Sequence, residues 1–324
     1  MKIVVRKTKD LNSSQWINYT TIFNQIFNKD LEVSHFKKKY FNTIKGYSYH
    51  AFLESDRNEI AGSCSIIPFE YFLGNNKHIF GLAVDAFVLK DYRRDPLVLF
   101  NLYSQLKELI IKEGVEFIIS VPNEIAYPYW KKMVNWKDVG QIPYYALPIK
   151  IGNILKKNTW LNIFSMIGCA TWIFLLGGLS NIFNSSEKSF EIRINRDNPI
   201  LEEYRYSLWP YLIKYHKKNK FVYRIIDEEG IRTAYLIDFY NGFKKKDVRT
   251  LFIAVKHIFL KEKIDLIIFV GFLNFSQYIL FRVPKSKEPK PLYLTGDILN
   301  KKINSQIIFN IRNWDFGLFN YDVR

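Results

Sequence analysis

Most residues whose types and spacing suggest chemistry lie in one stretch of the chain. Asp85 sits inside the apolar run Val84-Asp85-Ala86-Phe87-Val88-Leu89, and Arg93-Arg94-Asp95-Pro96-Leu97 follows shortly after. A carboxylate inside an apolar strand needs a reason. It can take a proton from a substrate as a general base, or it can pair with a neighbouring cation, and the residue types leave both open. Two adjacent guanidinium groups suit a phosphate, which they grip as planar forks. Asp95 and Pro96 are the residue types that open helices, Asp as N-cap and Pro at the first helical position. Further on, Pro122-Asn123 leads a second helix bearing Tyr127, Tyr129 and Trp130. A tyrosine hydroxyl can act as a general acid, although packing accounts for most tyrosines in a chain with 21 of them.

Other chemistries find no support. The five histidines (His35, His50, His78, His216, His257) lack ligand spacing, and Cys64 and Cys169 stand far apart without a CxxC pair, so no metal site and no disulfide framework is expected. Cys64, beside Ile66 and Ile67, reads as a core residue. No P-loop or dinucleotide fingerprint is present. The formal charge of +16 arises from scattered lysine runs such as Lys37 to Lys39 and Lys244 to Lys246. Without a recognition helix or an RNA-binding signature, these runs do not predict a nucleic-acid partner. They suit a solvated basic surface, an anionic small molecule or membrane headgroups.

Positioning these groups takes an α/β scaffold. Its 324 residues are more than one core usually holds, so two domains are expected. Ile3 to Val5 reads as a strand, Trp16 to Phe27 as a helix capped by Ser13 or Ser14, and Val33 to Tyr40 as another helix. Strands follow over Tyr47 to Leu53, Glu59 to Phe72 and His78 to Leu89, with a turn at Gly74-Asn75-Asn76. A helix from Asp95 to Gly114, a short strand at Phe117 to Val121, a helix ending near Val134 and an extended stretch from Val139 to Ile149 complete the first half. Asn135 closes that last helix, a residue that accepts left-handed geometry. The second half repeats the order. Strands are expected over Phe221 to Ile226 and Thr233 to Phe239, a helix over Lys246 to Leu260 and a strand over Leu266 to Phe272.

The segment from Gly81 to Pro148 resembles the central part of a Gcn5-related N-acetyltransferase. The residues that carry the resemblance are Val84 to Arg94, Val121-Pro122-Asn123 and Trp136-Lys137-Asp138-Val139-Gly140. The whole chain is similar to the two-lobed relatives found with bacterial surface-polysaccharide genes, whose second lobe ends in a Trp-Asp strand, here Asn313-Trp314-Asp315-Phe316. The resemblance implies tandem lobes, each a mixed twisted sheet flanked by helices: residues 1–150, an apolar connector at 151–188, and a more divergent lobe at 189–324. It also implies transfer of an acetyl or related acyl group from acyl-coenzyme A to an amine, such as an amino sugar on a nucleotide or lipid carrier. Phe87, Val88 and Leu89 would then face pantetheine, Arg93, Arg94 and Leu97 would meet the pyrophosphate, and Asn123, which leads the following helix, would complete the cofactor-binding set. Asp85 would be the base and Tyr129 the acid. The chain departs from the pattern at Asp95-Pro96-Leu97, where the family has a glycine turn, and at Trp130, where it has a titratable aromatic residue. The implied alternatives are a catalytically degenerate glycan-binding or scaffold protein and a transfer-RNA-dependent aminoacyl transferase to a cell-wall precursor.

From Asn158 to Ser186 no residue is charged, and Trp160 to Phe183 is apolar enough to resemble a membrane segment. Asn158, Asn162, Ser165 and Cys169 fall near one helical face, so burial between lobes, interfacial membrane contact and spanning all remain open. With no apolar run for a signal peptide near Met1, the protein is expected in the cytoplasm, at the inner face of the membrane where this segment makes contact.

Overall fold

The computed structural model describes residues 1–56, 59–157, 159–179 and 190–321. It divides into two compact units that interleave along the chain: Met1–Gly140 with Glu191–Trp209 and Tyr293–Asn313, and Gln141–Phe190 with Pro210–Leu292 and Trp314–Arg324. The division differs from the consecutive one expected from the sequence. Tyr144–Pro148 lies before residue 150, yet it pairs antiparallel with Leu266–Val270 of the second unit.

In the first unit the strands run in the order Lys2–Lys7, Tyr49–Glu54, Ile60–Leu73, Asn76–Val88, Phe117–Ser120, Tyr293–Ile298 and Lys137–Gln141. Asn76–Val88 and Phe117–Ser120 pair in parallel. That geometry needs a long crossover, supplied by the helix Val98–Lys112. Its buried residues Val98, Leu102, Leu106 and Ile110 recur every four residues and so share one face. They pack on Tyr49, Ala51, Cys64, Ile66 and Ile118. The alternate residue Phe52 points the other way and meets Tyr19, which packs with Phe23 and Phe36 from the helices Ser13–Phe27 and Val33–Phe41. The first helix is capped by Asn12, whose side chain accepts from the Gln15 amide, one residue before the serine expected there.

The second unit repeats the plan. Its sheet runs Phe281–Arg282, Tyr144–Pro148, Leu266–Val270, Ile231–Tyr240, Asn219–Glu228 and Leu212–His216, again with one parallel pair, Ile231–Tyr240 with Leu266–Val270. The crossover helix Val248–Lys261 buries Leu251, Ala254, Val255 and Ile258. The apolar stretch forms the helix Trp160–Leu179, which places Cys169, Ile173 and Leu176 in this unit's core. Residues 180–183 of that stretch lie outside the described residues. Among the described residues no helix is long and apolar enough to cross a membrane.

Candidate functional site

The strand Asn76–Val88 carries a β-bulge at the position of interest. Ser63 pairs with Phe87 and Ser65 with Val84, so Asp85 and Ala86 together oppose Cys64. Asp85 adopts φ 51°, a left-handed conformation that costs a non-glycine residue about 1 kcal/mol or more. The bulge turns its carboxylate toward the two N-terminal helices. There Lys39 Nζ lies 3.1 Å from Oδ1 and 3.0 Å from Oδ2, the Tyr40 hydroxyl donates to Oδ2, and the Tyr19 hydroxyl approaches Oδ2 at 3.3 Å. Lys39 is 2% exposed, so this is a buried ion pair.

Burial, and then the nearby Asp85 charge, push the Tyr19 and Tyr40 hydroxyls well above their ordinary pKa, which keeps both as donors. Burial with the same charge pushes the Cys64 thiol up to about 12, which removes it as a nucleophile. Beyond the cluster, His50 is enclosed between Thr8 and Ser65, with its ring nitrogens 2.9 Å and 2.8 Å from their hydroxyls.

The parallel neighbour falls away just before the bulge. Phe80, Gly81 and Leu82 pair with Phe117, Ile118 and Ile119, and the pairing stops there, although Asn76–Val88 continues to Val88. The Ser120 hydroxyl donates to the Ala83 carbonyl at 3.1 Å, and Arg93 Nε donates to the Val88 carbonyl at 2.7 Å. Between those two contacts the strand keeps one open edge. Phe87 is buried by ring contacts with Tyr19, Phe23 and Phe27. Val88 and Leu89 are half-buried against the core.

The turn that follows differs from the expected helix start. Lys90–Tyr92 forms a 3-10 turn, and the helix begins at Val98 rather than directly after Asp95. Asp95 Oδ1 accepts from the Leu97 amide at 2.8 Å, and the Asp95 carbonyl accepts from the Val98 amide at 3.3 Å. Asp95 therefore folds its own turn instead of capping the helix. The Tyr129 hydroxyl closes the helix end, accepting from the Phe100 amide and donating to the Pro96 carbonyl, both at 2.9 Å. Burial raises the pKa of that hydroxyl. Arg93, Arg94 and Leu97 are all exposed.

Asn123 Oδ1 accepts from the Ala126 amide at 2.8 Å and so opens the short helix Ala126–Lys132. Trp130 of that helix is buried, stacked on Trp136 at 4.4 Å and set edge-on to Tyr103. Tyr127 bonds Asp138. Asn135 closes the helix with φ 62°, the left-handed conformation expected of it. The structure thus joins Tyr129 to the Pro96–Phe100 turn and Asp85 to Lys39, Tyr19 and Tyr40, and no described contact links Asp85 with Tyr129. Lys39 has no signal of its own in the sequence, where it is the last of the run Lys37 to Lys39.

The matching turn of the second unit lies between Ile231–Tyr240 and Val248–Lys261. Parallel pairing covers Thr233 to Leu236 and then stops, leaving Ile237 to Tyr240 beyond it. Asp247 accepts from the Thr250 amide at 2.6 Å and from Asn241 Nδ2 at 2.6 Å. Phe243, Lys244 and Lys245 are exposed, while Lys246 is buried against Asp315. Among the described residues no group of three or more His, Cys, Asp or Glu side chains could hold a metal ion.

No family model matches the chain, and no curated protein matches it. Solved structures do. One from Enterococcus faecalis, described as a conserved protein of unknown function and probable N-acyltransferase, has a TM-score of 0.57 at 11% identity, over 93% of this chain and 73% of that one. A GCN5-related N-acetyltransferase from Anabaena variabilis also has a TM-score of 0.57 at 11% identity, over 92% and 73%. Eis1 from Mycobacterium abscessus has 0.50 at 11% identity, over 92% and 74%. The chain has the fold of the GCN5-related N-acetyltransferases. At this identity the likeness is one of fold.

Proposed function

We propose that the protein is an acyltransferase that moves an acetyl or related acyl group from acyl-coenzyme A to an amine. The observation that supports this most is the open edge of Asn76–Val88 beyond Leu82, which leads directly to Arg93 and Arg94. An edge without a neighbouring strand offers main-chain groups to a pantetheine amide, in the manner of strand addition. Phe87, Val88 and Leu89 line that edge in this reading. Arg93 and Arg94 hold the pyrophosphate by side-chain forks. The helix amides contribute less than usual, because Asp95 already occupies Leu97 and Tyr129 already occupies Phe100.

In the transfer the amine nitrogen bonds to the acyl carbon, the carbon–sulfur bond breaks, the nitrogen gives up a proton and the sulfur receives one. Asp85 is the proposed base and Tyr129 the proposed acid. Each is hydrogen-bonded in the resting protein, so each must exchange a partner before it moves a proton. An amino sugar on a nucleotide or lipid carrier, as in surface-polysaccharide synthesis, suits the charge of +16 as the acceptor.

Calorimetry with acetyl-coenzyme A and longer acyl forms tests the reading. Binding that weakens at least about tenfold in an Arg93→Ala, Arg94→Ala variant supports it, since each charge-assisted contact is worth ~1.5–3 kcal/mol. No heat at high protein concentration would sink it. The second reading is a glycan-binding or scaffold protein that has lost the transfer reaction. It is favoured by the internally satisfied turn and by the ion pair that occupies Asp85. Binding of nucleotide-linked amino sugars without coenzyme A binding would select it.

A further inference from the structure

We propose that the helix Trp160–Leu179 docks the protein on an anionic lipid surface, lying flat with its outer face among the acyl chains. The proposal is independent of the acyltransferase reading. The helix is inverted relative to an ordinary surface helix, which turns its polar side chains to water. Here they face inward. Ser165 Oγ donates to the Ile149 carbonyl at 2.7 Å and accepts from the Ile151 amide at 3.1 Å. Asn162 Nδ2 donates to Asn153 Oδ1 at 2.8 Å, and Cys169 Sγ meets the Pro148 carbonyl at 3.0 Å. Ile173 and Leu176 enter the core on the same side.

The outward face carries Trp160, Ile163, Phe164, Ile167, Phe174 and Leu175, each between 54% and 67% exposed. Their spacing of three, one, three, seven and one residues keeps them on one face of the helix. Thr171 is also exposed on this face, and its hydroxyl turns back to the Ile167 carbonyl at 3.0 Å. The helix contains no charged residue. A patch of this kind marks an interaction surface, because water solvates it poorly and its one exposed hydroxyl, Thr171, is bonded to the helix backbone.

Charge selects the occupant. The second unit holds 22 Lys and Arg against 11 Asp and Glu, so 11 of the 16 net positive charges fall on it. Exposed Lys157 lies three residues before the first residue of the helix, and Lys256 Nζ lies 5.3 Å from the centre of the Phe174 ring, at the rim of the stripe. A second copy docking through the same face would bring two surfaces of like sign together. Anionic headgroups complement both the lysines and the net charge. Trp160 lies at the end of the helix, where an indole ring suits headgroup depth. The inward hydrogen bonds hold the helix along its own unit, which fits an in-plane helix.

The test is flotation of the full chain with vesicles of phosphatidylcholine alone and of phosphatidylcholine with phosphatidylglycerol. The wild-type chain is expected to float with the anionic vesicles, and less so at high salt. A Phe164→Gln, Ile167→Gln, Phe174→Gln variant is expected to partition at least about tenfold less, with an unchanged unfolding midpoint because the replaced side chains are exposed. If the triple variant does not fold, Phe164→Gln alone carries the test. A wild-type chain that floats with neither vesicle overturns the proposal, as does a folded variant that floats equally well. A wild-type dimer that the substitutions convert to monomer, without vesicle binding, assigns the face to a second copy and overturns it too.

Discussion

In the first unit, Asn76–Val88 passes to Val98–Lys112 through a turn whose amides are engaged by Asp95 and Tyr129. In the second, Ile231–Tyr240 passes to Val248–Lys261 through a turn that exposes Lys244 and Lys245 above an Asp247 cap. Both units place an aspartate near the start of the crossover helix. In each case the carboxylate takes an amide that an anion could otherwise use, so local stability is gained where phosphate affinity is lost. What differs is the supplementary charge, two arginines beside one turn and two exposed lysines in the other. Arginine forks favour bidentate phosphate contacts, and lysines act as point charges. Each unit also buries a Lys–Asp pair, Lys39–Asp85 in the first and Lys246–Asp315 in the second.

The largest expected effect comes from breaking the first of those pairs. Asp85→Asn removes the charge that Lys39 Nζ and the Tyr19 and Tyr40 hydroxyls bond, and should lower stability by ~1–3 kcal/mol in denaturant unfolding. Replacing both members by apolar residues, Lys39→Met with Asp85→Leu, should restore most of that loss. An Asp85→Asn variant as stable as the wild type would mean that the charge of Asp85 adds nothing net to folding.

Acid should distinguish the units next. Burial holds the His50 pKa down to about 3, whereas the same ring in the unfolded chain titrates near 6.5. The unfolded state therefore binds this proton first. The contribution is fully present above about pH 6.5 and declines by about 1.4 kcal/mol per pH unit as pH falls toward 3. His257 of the second unit is also shifted down, by burial and then by Lys214, but it is only half-buried. Unfolding followed from neutral to mildly acidic pH should show a slope that His50→Gln flattens more than His257→Gln does.

A smaller effect concerns the turns. Asp95→Gly removes a negative charge and frees the Leu97 amide, so coenzyme A affinity measured by calorimetry should rise about tenfold. Unchanged affinity would mean that Asp95 is not what weakens this turn. The smallest effect is expected in the other unit. Lys244→Ala with Lys245→Ala should leave coenzyme A binding unaltered, and a loss there would move the site to the second turn.

Several site features were legible in the chain and others were not. Asp85 stood out because a charge in an apolar strand must be paired or functional, and the left-handed turn at Asn135 followed from its residue type. Lys39 was hidden in the run Lys37-Lys38-Lys39, which reads as a solvated face. In the structure Lys37 and Lys38 are exposed and Lys39 is buried, because the helix turns it toward the core with Phe36 and Tyr40. Tyr129 was marked as a candidate acid, but its grip on the Phe100 amide joins residues far apart in sequence and has no local signal.

By itself the sequence determined the element types, the alternation of strand and helix in both halves and the polar stripe of Asn162, Ser165 and Cys169, since these depend on local periodicity and turn chemistry. The tertiary structure decided which way that stripe faces, which strands the distant segment Tyr293–Ile298 joins, and whether Asp85 is free or paired. Those outcomes depend on burial and on contacts between residues remote along the chain, where the energy of pairing is settled only once both partners have left water.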